Sequence, residues 1–248
     1  MLRAAKAAGV ACAIFLVIGN VHAGCSGTLY LTIDTGSMSQ ADLIAATLNK
    51  YQIKATFFVA NEKTVRGDYS LDASWRDYWR ARVKEGHAFG SHTWRHWYLQ
   101  RDLKDGSIFY RAMDGGDHTR LTQREFCAEL QHPGNVFEKL TGRKLDGLWR
   151  APGGRLTARA REWGAGCGFA RHVGWSDAGF LGDELPSEQF PNDLLLNRAL
   201  TKIKDGDILV MHLGIWSRKD PFAPMLDPLI AGLKQRGLCF ATLSAKPQ

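Results

Sequence analysis

What most limits the folds open to this chain is an alternation. Seven short runs rich in β-branched or aromatic residues, TLYLTID (28 to 34), KATFFVA (54 to 60), HAFGSH (87 to 92), GLWRA (147 to 151), ARHVGW (170 to 175), DILVMHL (207 to 213) and CFATLS (239 to 244), are separated by segments of helical period. Such runs suit a pleated, half-buried surface. Strands alternating with helices imply an α/β fold, a distorted (β/α) barrel of about seven mostly parallel strands with helices outside. SQADLIAATLNKY puts Leu43, Ile44 and Leu48 on one helical face behind Ser39, a candidate N-cap with Asp42 three residues on. TQREFCAELQHPGNVFEKLTG opens on Thr122 and stops at Gly142, with Pro133 expected to kink or divide it. The polar stretch from about Arg101 to Thr119 reads as a long loop, a rim or lid for a groove.

Residues 1–23 read as an export signal: Arg3 and Lys6, an apolar stretch from Ala7 to about Ile18, then Val21-His22-Ala23 as a cleavage site. That stretch is shorter than the roughly 20 residues that cross a bilayer, and nothing later is apolar enough to span one. Residues 24–248 suit one domain, with no linker, repeat or low-complexity tract. The expected location is periplasmic or extracellular. Cys25, Cys127, Cys167 and Cys239 then form an even set in an oxidising compartment. Of their three pairings, Cys25 with Cys239 is favoured because the two flank the first and last strands, which leaves Cys127 with Cys167. The formal charge of +7 is scattered, and no interleaved basic and aromatic run argues for nucleic acid.

In barrels of this kind the chemistry gathers at the carboxyl ends of the strands. Asp34 ends the first run, His92 the third and Arg150 falls in the fourth; Asp177 follows the fifth and His212 falls at the end of the sixth. These residues should meet on one rim. His92 and His96, four apart in SHTWRH, would share a face if that segment coiled into a helical turn, and paired imidazoles are a common grip on zinc. His118, beside Asp117, is a weaker candidate ligand. GAGCG (164 to 168) follows a helix instead of opening one, which argues against a dinucleotide site, and no Gly-x-Ser-x-Gly elbow exists.

Taken in order, LTIDTG, KATFFVAN, GHAFGSHTWRH, TGRKLDGLWRAPGG, GDILVMHLG and GLCFATLS resemble the motifs of the polysaccharide deacetylase family, carbohydrate esterase family four, from about residue 28 to 244. The resemblance implies a metal-dependent hydrolase that removes N- or O-acetyl groups from an acetylated polysaccharide such as peptidoglycan, chitin or xylan, and the aromatics of YSLDASWRDYW and HTWRHWY are then candidate stacking platforms for sugar rings, with capping of the core as the alternative. It implies Asp34 as general base, Arg150 as the arginine that holds it, His212 as general acid and His92 and His96 as metal ligands. Asp177, with Asp183 in reserve, stands for the supporting aspartate. Thr35 occupies the place of the family's third ligand, usually Asp. A hydroxyl is a poorer zinc ligand than a carboxylate and cancels none of the ion's charge. Three arrangements follow: zinc on the two histidines with water and Thr35, Asp34 drawn into the ligand shell, or no metal at all. The rival functions are a metal-free carbohydrate-binding relic and an amidohydrolase of lactams or other non-sugar amides.

Overall fold

The structure is a computed structural model that describes residues 24–246. The expected export signal lies outside the described residues. Ten strands and six α-helices follow in the order β1 (Gly27–Asp34), α1 (Ala41–Tyr51), β2 (Thr56–Val59), α2 (Arg76–Lys84), β3 (Ala88–Ser91), β4 (Tyr98–Asp102), β5 (Ile108–Arg111), β6 (His118–Leu121), α3 (Gln123–Thr141), β7 (Leu148–Trp149), α4 (Ala158–Gly166), β8 (Arg171–His172), α5 (Asn192–Lys202), β9 (Ile208–His212), α6 (Leu226–Gln235) and β10 (Leu238–Phe240).

Each of the seven apolar runs supplies one strand of a parallel sheet ordered β10-β1-β2-β3-β7-β8, with β9 also paired to β1. The sheet curls into a half-barrel with helices outside. The amino half of β1 pairs with β10 through Gly27 to Leu29, and its carboxyl half pairs with β9 through Tyr30 to Asp34. Alternation along the strands then decides which side chains face inward. Leu29, Leu31, Ile33, Phe57, Val59, Phe89, Leu209 and Met211 face the helices in the main core. Tyr30, Phe58, Leu148 and Val173 form a smaller apolar cluster on the other face. By the same parity Asp34, His92, Arg150 and His212 fall on that inner side, so the sheet's pleat aims all four toward one mouth.

The structure differs from the sequence reading in several elements. The stretch from Arg101 to Thr119 is not one long loop: it carries the end of β4, all of β5 and the start of β6 of an antiparallel sheet, β4-β5-β6, joined by two turns. Its inward residues Leu99, Ile108, Tyr110 and Leu121 pack with Phe126, Leu130 and Trp149 in a second core, while the outward ones are mostly polar and mask the period. Helix α3 runs undivided through Pro133. An interior proline costs about 3 kcal/mol, but Phe126, Leu130, Phe137 and Leu140 are buried on both sides of it, at roughly 1.5–3 kcal/mol each. The Thr122–Glu125 capping box and left-handed Gly142 close its two ends. Helix α1 starts one residue later than a Ser39 cap would place it. Gln40 occupies the cap position, its N–H held by the Leu213 carbonyl at 2.9 Å, and Leu43 is exposed while Ile44 and Leu48 are buried. Both disulfides, Cys25–Cys239 and Cys127–Cys167, are present.

Candidate active site

The site starts where β1 ends. Asp34 is 2% exposed, and Arg150 Nη1 donates to its Oδ1 at 2.8 Å. Arg150 is itself immobilised: Nε donates to the Val173 carbonyl at 3.1 Å, Nη2 to the Gly174 carbonyl at 2.9 Å, and its guanidinium lies 4.3 Å from the Phe58 ring centre. A guanidinium that spends its other donors on backbone carbonyls can only present one edge to the carboxylate. Gly36 lets the chain turn immediately afterwards. It has φ 123°, and a Cβ there would stand 2.4 Å from the Gly214 carbonyl oxygen, so the loops after β1 and β9 touch backbone to backbone.

His92 follows β3. Its Nδ1 lies 2.9 Å from the Arg150 carbonyl oxygen, which can only accept, so the proton sits on Nδ1 and the Nε2 lone pair is free. Nε2 is 3.4 Å from Asp34 Oδ2. His96 comes alongside with ring centroids 4.7 Å apart. The two are not joined by a helical turn. Thr93 and His96 have φ 63° and 55°, left-handed values that fold the loop back on itself. What holds that loop is Glu129 on α3: Oε2 accepts from the N–H groups of Trp94 and Arg95 and from the Tyr110 hydroxyl, at 3.0 to 3.1 Å, and Oε1 accepts from Arg95 Nε at 2.6 Å.

Across the cleft, His212 is held by Asp183 through both its backbone and its ring. Its backbone N–H donates to Oδ2 at 2.7 Å and its Nδ1 lies 3.1 Å from Oδ1. Asp183 therefore takes the place read for Asp177, which opens a 3-10 turn and lines a separate hollow with Arg198, Lys202 and Lys204. Ile208 and Ser176 bond to one another through backbone and hydroxyl, and this anchors Asp177's turn against the start of β9, away from His212 at its end.

Thr35 is not an open ligand. Its hydroxyl accepts from Ala60 N–H at 3.1 Å and donates to Glu62 Oε2 at 2.5 Å. Glu62, just beyond β2, also meets His96, with Oε1 3.0 Å from Nδ1. No sequence reading singled out this residue. The only signal was its place in KATFFVAN-E, three residues past the end of β2 on the same rim. His118 lies on exposed β6 against Phe109, outside the cluster.

Asp34, Glu62, His92, His96 and His212 line one cleft of about 380 Å³ with Tyr98, Met113, Trp175 and Trp216. Trp216 is 63% exposed at its edge. Most of the aromatics read as sugar platforms lie elsewhere. Trp75 and Trp79 are in the main core, Trp97 packs on the second, and Trp94 stacks on His132 at 3.9 Å. Only Tyr98 of those segments reaches the cleft, where Gly153 makes room for it: a Cβ there would come within 2.5 Å of the Tyr98 ring.

The charges are sorted by environment. Burial pushes Asp34 up, but Arg150, His92 and His212 outweigh it and hold the carboxyl below its usual range. Burial also acts on Glu62, and His96 with the Thr35 hydroxyl brings it down to about 2. Burial lowers His92 to about 4. His212 goes the other way: burial opposes its proton, yet Asp183 dominates and raises it to about 10. The cleft thus holds an ionised carboxylate, a neutral imidazole and an imidazolium side by side. Among the described residues no three His, Cys, Asp or Glu side chains already form a ready ligand set. The donor chemistry nevertheless suits a divalent ion, with His92 Nε2 unprotonated, its ring fixed by the Arg150 carbonyl, and His96 adjacent.

A half-barrel whose rim joins a clamped carboxylate to a carboxylate-backed imidazolium and a histidine pair is the framework of a hydrolase. The sequence profile of the polysaccharide deacetylase family matches residues 22–172, more than half of the chain, and the protein belongs to that family, a family of hydrolases. It is 26% identical over 212 residues to a peptidoglycan-N-acetylglucosamine deacetylase of Bacillus cereus, across 79% of this chain and 76% of that one. An uncharacterized 30.6 kDa protein of Geobacillus stearothermophilus is 29% identical over 216 residues, 87% of this chain and 69% of the relative. Among solved structures, a CE4 family pseudoenzyme from Bacillus anthracis superposes with a TM-score of 0.65 at 20% identity. This likeness, one of fold, covers 88% of this chain and 64% of that structure, just under two thirds of its length.

Proposed function

We propose that the protein is an exported, metal-dependent hydrolase that removes N-acetyl groups from a polysaccharide, peptidoglycan or another N-acetylhexosamine glycan, with O-acetyl groups open to the same chemistry. The observation that carries this reading is Asp34, held by Arg150 on one wall, facing a cleft whose other wall carries His212 backed by Asp183. Amide hydrolysis needs a base for the attacking water and an acid for the departing amine. Asp34 is the base, kept ionised and aimed by Arg150. His212 is the acid, carrying its proton on a ring steadied by Asp183. His92 and His96 would hold a divalent ion, zinc by donor type, and that ion when bound would supply Lewis acidity toward the acetyl carbonyl. Tyr98, Trp175 and Trp216 offer flat apolar faces for sugar rings along the cleft. The paired cysteines and the character of residues 1–23 support export, and the Bacillus cereus relative supports peptidoglycan as the first substrate to try.

The test is acetate release from peptidoglycan, chitooligosaccharide and xylan in the presence of zinc. The wild type is expected to release acetate, and Asp34→Asn to slow it on the order of 10²- to 10⁴-fold, the usual worth of a positioned base. No acetate from any of them under any divalent ion would favour the binding relic, and turnover confined to lactams or simple amides would favour the other amidohydrolase.

A further inference from the structure

We propose that Glu62 supplies the carboxylate ligand of the metal site with His92 and His96, replacing from the segment after β2 the charge that Thr35 cannot provide. This rests on the metal-dependent reading above. The position of Glu62 makes the argument. One carboxylate oxygen touches the Thr35 hydroxyl at 2.5 Å and the other touches His96 Nδ1 at 3.0 Å, so its head group lies between the residue that lacks a charge and a histidine of the pair. The Thr35 hydroxyl accepts from Ala60 N–H, so its proton points at Glu62. Thr35 thereby orients a carboxylate, as outer partners of metal ligands do. The Glu62 backbone is fixed as well: Ser70 Oγ accepts from its N–H at 3.1 Å and its carbonyl accepts from Ser70 N–H at 2.8 Å. Two imidazoles with one glutamate are an attested zinc donor set that leaves a position for water. The Glu62–His96 hydrogen bond is also why no ready ligand set stands there: the two groups face each other, and a cation would exchange that one bond for two metal bonds.

Zinc binding, read by calorimetry and by metal content without substrate, separates this proposal from the choice of reaction. The wild type is expected to take one zinc ion. Glu62→Gln should weaken binding roughly 100-fold or more, beyond what loss of an outer-shell partner costs. Thr35→Asp added to Glu62→Gln should return most of the affinity. A smaller loss in Glu62→Gln, a double variant that stays weak, or a wild type that takes no zinc overturns the proposal. If Glu62→Gln shows no cooperative melting, zinc-soaked crystals of the wild type decide: an anomalous peak bonded to a Glu62 oxygen supports the assignment, and a peak without it, or no peak, overturns it. Zinc held through Glu62 without acetate release would count against the deacetylase reading alone.

Discussion

Two histidines in one cleft are held in opposite protonation states by their surroundings, the separation expected if His212 is the acid of the proposed reaction. Burial takes His92 down to about 4, while Asp183 outweighs burial at His212 and takes it up to about 10. For His212 the folded value lies above the ordinary 6.5. Its contribution to stability is therefore complete below pH 6.5 and is lost as pH rises through about 10. Asp183→Asn removes the main cause of the rise. We expect the alkaline limb of kcat/KM to move down by more than one pH unit, and the alkaline decline in unfolding free energy to flatten in the same variant. A profile whose alkaline limb stays in place would show that another group is the acid. Asp177→Asn, outside the cleft, should leave the limb where it is; its position in GWSDAGFLGD could not be told from that of Asp183 by sequence alone, because both aspartates follow β8 and the 3-10 turn that Asp177 opens decides which one meets His212.

At the scale of elements, the histidine pair belongs to a loop that is held by a helix far away in sequence. Glu129 on α3 accepts four hydrogen bonds from the segment Trp94 to Arg95 and from Tyr110 of β5, and it is 6% exposed. Glu129→Gln retains the shape but presents an amide nitrogen to donors. The expected loss is about 2–3 kcal/mol in urea unfolding, since hydrogen bonds to a charged group are worth roughly 1.5–3 kcal/mol and Glu129 is itself buried, with the buried Tyr110 hydroxyl among its donors. Because Thr93 and His96 sit at left-handed φ, the released loop should relax, and zinc affinity should fall by about 10- to 100-fold, the range for an outer support. Unchanged stability together with unchanged affinity would remove Glu129 from that role. The helical turn on which the pairing of SHTWRH was conditioned does not form: spacing of four fits such a turn, but Thr93 and His96 are left-handed and tertiary bonds to Glu129 hold another path. The strands were legible because β-branched and aromatic runs have few other places to go. The β4-β5-β6 sheet was not, because its short strands expose polar residues on one face and carry charged turns between them.

Over the whole molecule, Asp34 and Arg150 meet across a sequence separation of 116; the shared rim was readable because the carboxyl ends of strands in one parallel sheet gather there, and the pairing itself came from the family resemblance. Glu62 escaped because it lies beyond its strand, where no periodicity points. The opposite end of the sheet carries a different constraint. Cys25–Cys239 closes the chain with a separation of 214, just before Gly27 pairs with Leu238, whereas Cys127–Cys167 spans 40 between α3 and the end of α4. In the chain-entropy account the first cross-link limits the unfolded chain by about 5 kcal/mol and the second by about 4 kcal/mol. Replacing Cys25 and Cys239 together by Ser should therefore destabilise more than replacing Cys127 and Cys167, and the melting temperature should fall by roughly 10–20 °C in the first case and roughly 8–16 °C in the second, at about 2–4 °C per kcal/mol for a chain of this size. An eight-residue β1 puts the Cys25 bond roughly 25 Å from Asp34 at the strand's usual rise, so turnover well below the transition should be unchanged in that variant. Guanidinium unfolding and acetate release measured on both variants check the pair of claims. Equal costs would mean that native packing, not the length of the closed loop, sets what each bridge contributes, and a loss of turnover at low temperature would mean that the two ends of the sheet are coupled.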